Sequence, residues 1–268
     1  MTEYAFLNGQ ILPVAEANVN ITDLAILRGY GVFDFFRAIE GKPIFIEDHL
    51  DRFAASTQKM NLSLPYSRDV LRDNILELVK LNTHKLLGIR LLCTGGYSED
   101  GYTPADTPNV MMLAKPFSMP SPDKKVKLML AEHVREMADI KSINYAKPIT
   151  LLPRMKAVGA DDVLYHSGGI VSESSRSNIF IVKNEQVLTP ISNILYGITR
   201  KNIINVAKKY FDIVERDFTL EELLNADEVF MTGSTKRAAS VAQVDNKIYV
   251  KYSVAEKINQ LLLDLEQS

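Results

Sequence analysis

Lys141 lies in the run Asp139-Ile140-Lys141-Ser142-Ile143-Asn144-Tyr145. About thirty residues on, Glu173 lies in Val171-Ser172-Glu173-Ser174-Ser175-Arg176-Ser177-Asn178. The lysine falls in a loop and the glutamate at the mouth of the apolar strand that begins at Asn178. A lysine amine condenses with an aldehyde to a Schiff base, and a carboxylate holds a protonated pyridine nitrogen. These are the two protein anchors that pyridoxal 5'-phosphate requires. By residue type alone, a lysine and a glutamate at this separation are equally ordinary surface residues.

Four further runs accompany them: His49-Leu50-Asp51-Arg52-Phe53, Ile89-Arg90-Leu91, Tyr196-Gly197-Ile198-Thr199-Arg200 and Thr232-Gly233-Ser234-Thr235. In this order they resemble the fold-type IV, or class IV, aminotransferases. That family includes branched-chain aminotransferase, D-amino acid aminotransferase and aminodeoxychorismate lyase. The resemblance runs from about Phe6 to the C-terminus. It implies that Lys141 is the catalytic Schiff-base lysine, which also shuttles the α-proton, and that Glu173 partners the pyridine nitrogen. It implies a phosphate site made of Arg52, the helix-start amides of Ile198 and Thr199, and Ser234, and it makes Tyr145 the donor to the phenolate oxygen. Arginine's planar fork and the unpaired amides of a helix start both suit a phosphate. The family has glycine after the glutamate; Ser174 stands there in this chain and leaves the carboxylate untouched.

The same resemblance puts Arg28, Phe33, Arg90 and Thr235 in the substrate pocket. Ile89-Arg90-Leu91 is similar to the I-R-P motif of the branched-chain enzymes, which carry a tyrosine where this chain has Arg28. The loop Thr94-Gly95-Gly96-Tyr97-Ser98-Glu99-Asp100-Gly101-Tyr102 lacks the R-x-H pair of the Bacillus-type D-amino acid enzymes. Two arginines in one pocket suit a carboxylate clamp. If Arg28 and Arg90 hold the α-carboxylate, D-amino acids fit, with 2-oxoglutarate as acceptor. If Arg90 instead holds a side-chain carboxylate, L-branched-chain substrates fit. A lyase acting on aminodeoxychorismate is the third alternative. The family implies a homodimer.

These residues need elements to carry them. Asn8-Gly9 between Tyr4–Leu7 and Gln10–Val14 signals a hairpin. Val32–Ile39, Leu87–Cys93 and Val110–Ala114 read as strands. Ile46–Met60 reads as a helix with Leu50, Phe53, Ala54 and Thr57 on one face, and Ser67 caps a second helix over Arg68–Lys80. Three prolines in Lys115-Pro116-Phe117-Ser118-Met119-Pro120-Ser121-Pro122 mark a stiff connector. Beyond it, strands are expected near Lys127–Ala131, Asp162–Tyr165, Asn178–Val182 and Glu228–Thr232. Helices are expected near Thr150–Val158, Thr199–Tyr210 and Val254–Leu265. Irregular alternation favours an α+β class over a doubly wound sheet. The expected division is a smaller N-terminal α+β domain over 1–115, a linker over 116–124 and a larger C-terminal cofactor-binding domain over 125–268. By resemblance, the cofactor lies between the two domains.

Composition closes off other classes. The 268 residues are 46% hydrophobic and 24% charged, with a net charge of −2, so nothing marks a nucleic-acid surface. The most basic short run, Asp123-Lys124-Lys125-Val126-Lys127, reads as a solvated strand edge. His49, His84, His133 and His166 have no metal-ligand spacing, and no metal is expected. The lone Cys93 allows no internal disulfide and sits in an apolar run as buried filler. The opening Met1-Thr2-Glu3-Tyr4-Ala5-Phe6 has no leader pattern, and no apolar stretch reaches the ~20 residues of a membrane span. A cytoplasmic location is expected.

Overall fold

A computed structural model describes residues 3–121 and 123–267. Met1, Thr2 and Pro122, which entered the leader and connector readings, lie outside the described residues. The chain forms two compact units, Met1–Ser118 with Ile140–Asn144 and Met119–Asp139 with Tyr145–Ser268. The lysine-bearing segment therefore packs with the first unit, although chain order places it beyond the proline-rich connector.

The first unit contains β1 (Tyr4–Leu7), β2 (Gln10–Pro13), α1 (Leu24–Arg28), β3 (Gly31–Ile39), β4 (Lys42–Pro43), α2 (Ile46–Lys59), α3 (Arg68–Leu81), β5 (Leu86–Thr94) and β6 (Asn109–Pro116). Its six strands form one sheet in the order β2-β1-β6-β5-β3-β4, every pair antiparallel. Side chains alternate across the pleat. Val32, Asp34, Phe36 and Ala38 of β3 are buried beneath α2 and α3, whereas Phe33 and Phe35 point to the other face and stay partly exposed. The buried face packs against Leu50 and Phe53 of α2 and Leu71, Ile75 and Leu78 of α3. Ser67 caps α3 by accepting from the Val70 amide. The buried stripe of α2 is His49, Leu50, Phe53, Ser56 and Thr57. Ala54, expected on that stripe, is exposed; the stripe is offset towards His49 and Ser56, which turns Ala54 out to its edge.

The second unit contains β7 (Val126–Glu132), α4 (Ala146–Val158), β8 (Asp162–Ser167), β9 (Ile170–Ser174), β10 (Asn178–Lys183), β11 (Gln186–Thr189), α5 (Ile198–Ala207), β12 (Asp212–Glu215), α6 (Leu220–Leu224), β13 (Glu228–Gly233), β14 (Arg237–Val244), β15 (Lys247–Ile248) and α7 (Ser253–Gln267). Its sheet runs β12-β11-β10-β13-β14-β7-β8-β9, with β15 on β14. β9 also pairs with β10 through Asn178 and Glu173, which closes the strands from β10 round to β9 into a barrel. Strands in both units mix with helices that are not regular crossovers, an α+β fold as the alternation implied.

Three further expectations change. β7 is no edge: it lies between β14 and β8, paired in parallel with both. The lysines before it are held by local partners, Lys124 by Asp161 at 2.7 Å and Lys125 over the Tyr252 ring. α4 begins at Ala146 rather than near Thr150, because Pro148 falls in the first turn, where its missing N–H has no helical partner to lose. α5 ends at Ala207, short of Tyr210.

Candidate functional site

In the first unit, residues 141–143 lie along the edge of β3. The Phe33 amide donates to the Lys141 carbonyl at 2.9 Å, and the Ile143 amide donates to the Gly31 carbonyl at 3.1 Å. Val32 and Ser142 form an antiparallel bridge between these bonds. Ile140 inserts into the core of the unit, and the Lys141 amide donates to Ser56 Oγ of α2. Gly31 permits this approach, since a Cβ there would lie 2.8 Å from the Cys93 carbonyl and 3.2 Å from Ile143 Cδ1. The lysine backbone is thus fixed, and its Nζ stands 4.6 Å from the centroid of the Phe33 ring.

Arg90 belongs to the same face. The register pairs Phe35 with Arg90 and Phe33 with Leu92, so these side chains share the open side of the sheet. The Arg90 guanidinium lies over the Phe35 ring at 5.9 Å. Arg28 ends α1, a short helix anchored by Asp23. That carboxylate caps the Ala25 amide and accepts from Thr94 and Asn109. Arg28 is exposed and donates to the Leu27 carbonyl.

Arg52 projects from α2 onto Asp34 of β3. Its Nε and Nη2 reach the two carboxylate oxygens at 2.8 and 2.7 Å. His49 Nδ1 lies 2.7 Å from Asp34 Oδ1, and this nitrogen carries the hydrogen because the carboxylate only accepts. Burial opposes the charge on Asp34, but Arg52 and His49 outweigh it and hold the carboxyl well below the usual range. Burial likewise lowers the pKa of His49. Cys93, on the buried face of β5, is fully enclosed, and burial pushes its thiol up to about 12.

In the second unit, Glu173 lies on β9 and is 4% exposed. Arg135 Nε donates to Oε1 at 2.8 Å, and the Leu195 amide donates to Oε2 at 2.9 Å. Arg135 also donates to the Ala138 carbonyl, which fixes its fork. Asn178, the β10 partner of Glu173, donates to the Leu195 carbonyl at 2.7 Å. The same side chain stands against Gly197, the N-cap of α5, where a Cβ would overlap Asn178 Oδ1. Ile198 and Thr199 follow with first-turn amides that no helical carbonyl takes, at the positive end of the helix dipole. Arg200 is committed elsewhere, to Thr189, Pro190 and Glu215. Ser234 and Thr235 sit in the turn between β13 and β14, closed by a bond from the Lys236 amide to the Gly233 carbonyl. Tyr145 is half-buried at the N-cap of α4.

Each unit thus offers part of what the cofactor needs. The first carries an amine on a fixed backbone and a guanidinium. The second carries a buried, oriented carboxylate, a helix start and a turn hydroxyl. These residues fit a phosphorylated pyridine aldehyde. Among the described residues no group of three or more His, Cys, Asp or Glu could hold a metal ion, and no helix is long and apolar enough to cross a membrane.

Residues 31–244 match the family Amino-transferase class IV. This chain belongs to that family. The class IV aminotransferases similar to it include two relatives at the same identity. One, from Methanocaldococcus jannaschii and provisionally named a branched-chain-amino-acid aminotransferase, is 30% identical over 96% of this chain and 93% of its own. The other, a D-alanine aminotransferase from Staphylococcus haemolyticus, is 30% identical over 90% of this chain and 89% of its own. The structure of the T.th. branched-chain amino acid aminotransferase with pyridoxamine 5'-phosphate superposes with a TM-score of 0.92 at 26% identity, over 98% of this chain and 94% of that one. This class IV aminotransferase is a pyridoxal 5'-phosphate enzyme with the α+β fold of its relatives.

Sequence reasoning missed Arg135, Asp34, His49, Asn178 and the Leu195 amide. The histidines lack metal spacing, yet His49 is buried beside Asp34. The three-residue step from His49 to Arg52 places both on one helix face, a signal that was available. Arg135 has no local pattern to betray it, since its partner is 38 residues away.

Proposed function

We propose that this enzyme transfers the amino group of a D-amino acid to 2-oxoglutarate. Bound pyridoxal 5'-phosphate supplies the aldehyde that takes the amino group and a ring that withdraws electrons as the α-hydrogen leaves. Lys141 Nζ is the covalent anchor and the base that carries the α-proton. Glu173, oriented by Arg135 and the Leu195 amide, keeps the ring nitrogen protonated. Arg52, with Nη1 left over from its bidentate bond to Asp34, neutralises the phosphate together with the Ile198 and Thr199 amides and Ser234. Tyr145 donates to the phenolate oxygen. Phe33 and Thr235 line the substrate pocket.

The observation that carries the substrate reading is the shared face of Lys141 and Arg90. Lys141 stands over Phe33 and Arg90 over Phe35, two positions along one strand, or about 7 Å. A guanidinium on the sheet face that carries the amine supports recognition of a substrate carboxylate, and Arg28 is its proposed partner in the clamp. A second reading, an L-branched-chain enzyme, is supported by the archaeal relative's name and by Ile89-Arg90-Leu91, with Arg90 on a side-chain carboxylate.

The deciding experiment sets wild type, Arg28→Ala and Arg90→Ala against D- and L-glutamate and D- and L-leucine. With an α-carboxylate clamp, each variant raises KM for every substrate by about ten- to a hundredfold, and the D-enantiomers react. Activity on L-leucine alone, unchanged in Arg28→Ala, overturns the D-specific reading. Pyruvate release from aminodeoxychorismate would instead identify a lyase. A homodimer in the cytoplasm belongs to the same proposal, and light scattering of the purified holoenzyme tests the dimer.

A further inference from the structure

The second unit holds a cavity of about 410 Å³ at the ends of β13 and β14, lined entirely by residues of that unit. It contains none of the residues assigned above to cofactor or substrate. Its wall carries Lys124, Arg176, Lys236 and Arg237 against Asp161 and Asp162. Two of these cations are satisfied: Lys124 by Asp161 at 2.7 Å and Arg237 by Glu266 at 2.7 Å. Arg176 is exposed and has no ion pair among the described residues. The Lys236 ammonium has three donors, of which one goes to Ser177 Oγ at 2.8 Å. Asp162, the remaining anion, is engaged by the Ser175 hydroxyl at 2.5 Å and by the Val163 amide at 2.8 Å. Asn259 adds a buried amide oxygen with no hydrogen-bond partner.

Two cations outside any ion pair among the described residues and the unpartnered Asn259 oxygen therefore face one cavity. We propose that this cavity is a binding site for a phosphate group, with Lys236 and Arg176 on its oxygens and Asn259 on its P–OH. Against the Asp162 carboxylate the two cations leave one net positive charge, which suits a phosphate monoanion, the form in which both a phosphomonoester and the free ion keep a P–OH for Asn259, and Arg176 at the rim can approach with its planar fork. An amide suits a hydrogen phosphate because it accepts through oxygen and donates through nitrogen. The volume lies within the roughly 300–1,000 Å³ of small-molecule sites, so a small phosphomonoester fits as well as the free ion.

Lys236 also gives the site a pH signature. Burial lowers its pKa to about 8, with Arg176 and Lys124 adding to the fall and Asp162 and Asp161 opposing it. The cation, and with it anion affinity, is present below that value and lost as pH rises through it.

The test uses cofactor-saturated holoenzyme, so that the phosphate subsite of the cofactor is already filled. Inorganic phosphate, and separately glycerol 3-phosphate, is titrated by calorimetry at pH 7 and pH 9 with ionic strength held by chloride. The expected result is saturable binding of one equivalent, at least tenfold weaker at pH 9 and at least tenfold weaker in Lys236→Met and Arg176→Ala. Tighter binding of the ester identifies a phosphomonoester as ligand, and tighter binding of the ion identifies free phosphate. Absence of saturable binding in wild type, or unchanged binding in Arg176→Ala, overturns the proposal. Arg176 is exposed, so that variant decides the matter even if Lys236→Met fails to fold.

Discussion

Arg135 and Glu173 form a buried ion pair, with guanidinium Nε 2.8 Å from carboxylate Oε1. The arginine side chain is 15% exposed and the glutamate 5%. The carboxylate is thereby held by one face while its other oxygen meets the Leu195 amide, so its orientation is set by two elements far apart in sequence.

Arg135→Ala should lower kcat by about ten- to a hundredfold, the effect of losing a charge-assisted hydrogen bond of roughly 1.5–3 kcal/mol. Arg135→Lys should recover part of it. Steady-state kinetics on cofactor-saturated enzyme measure this, and an unchanged kcat in the alanine variant would remove Arg135 from the reaction.

Glu173→Gln should keep the fold and slow α-proton removal by orders of magnitude, because an amide does not hold the ring nitrogen protonated as a carboxylate does. Loss of the substrate α-deuterium in single turnovers gives the rate directly.

Lys141→Ala and Lys141→Arg should both abolish amino transfer. Alanine removes the nucleophile, and arginine stays protonated at every working pH. Near wild-type turnover in either variant would contradict the assignment. Circular dichroism guards against misfolding, since the backbone bonds of 141–143 to β3 do not need the side chain.

Asp34→Asn should destabilise the first unit by about 3–5 kcal/mol, as breaking a buried ion pair does, and should loosen Arg52. The pH dependence follows from the sign of the shifts. Asp34 has a folded pKa below its unfolded value, so its contribution is full above about pH 4 and lost as pH falls through the folded value. His49 is also shifted down, so protonation at acid pH favours the unfolded chain as well. Urea denaturation from pH 3 to 7 should show wild-type stability falling towards acid and a flatter profile in Asp34→Asn.

The strands and helices that carry strong patterns were legible in the sequence. β3 and β5 alternate cleanly or run apolar, and α2 and α3 carry apolar residues at helical spacing. Lys141, Glu173 and Gly197-Ile198-Thr199 stood out as site candidates only in combination. β14 was not legible because Arg237-Ala238-Ala239-Ser240 is built of residues with little strand preference; its place is secured by pairing with β13 and β7. α6 carried a readable signal in Thr219 and Glu222, which form a reciprocal capping box. Arg135 and Asp34 owe their roles to tertiary pairing, which no local window contains.

The return of residues 140–144 to the first unit has a bearing on how the chain reaches its folded state. A nascent chain that has passed Ser118 but not Asn144 has every named strand of the first sheet, yet the edge of β3 at Gly31–Phe33 still offers unpaired amide and carbonyl groups. Exposed edges of this kind recruit strands from other chains. The second unit waits longer, because β7 needs β14, whose Val241 pairs with Val126 from 115 residues away. Contacts so distant in sequence slow folding and prolong the exposure of apolar strands. Chains cut at the connector, such as residues 1–118, should therefore aggregate where the full chain stays dispersed, and the segment that carries Lys141 doubles as the cover for a vulnerable edge.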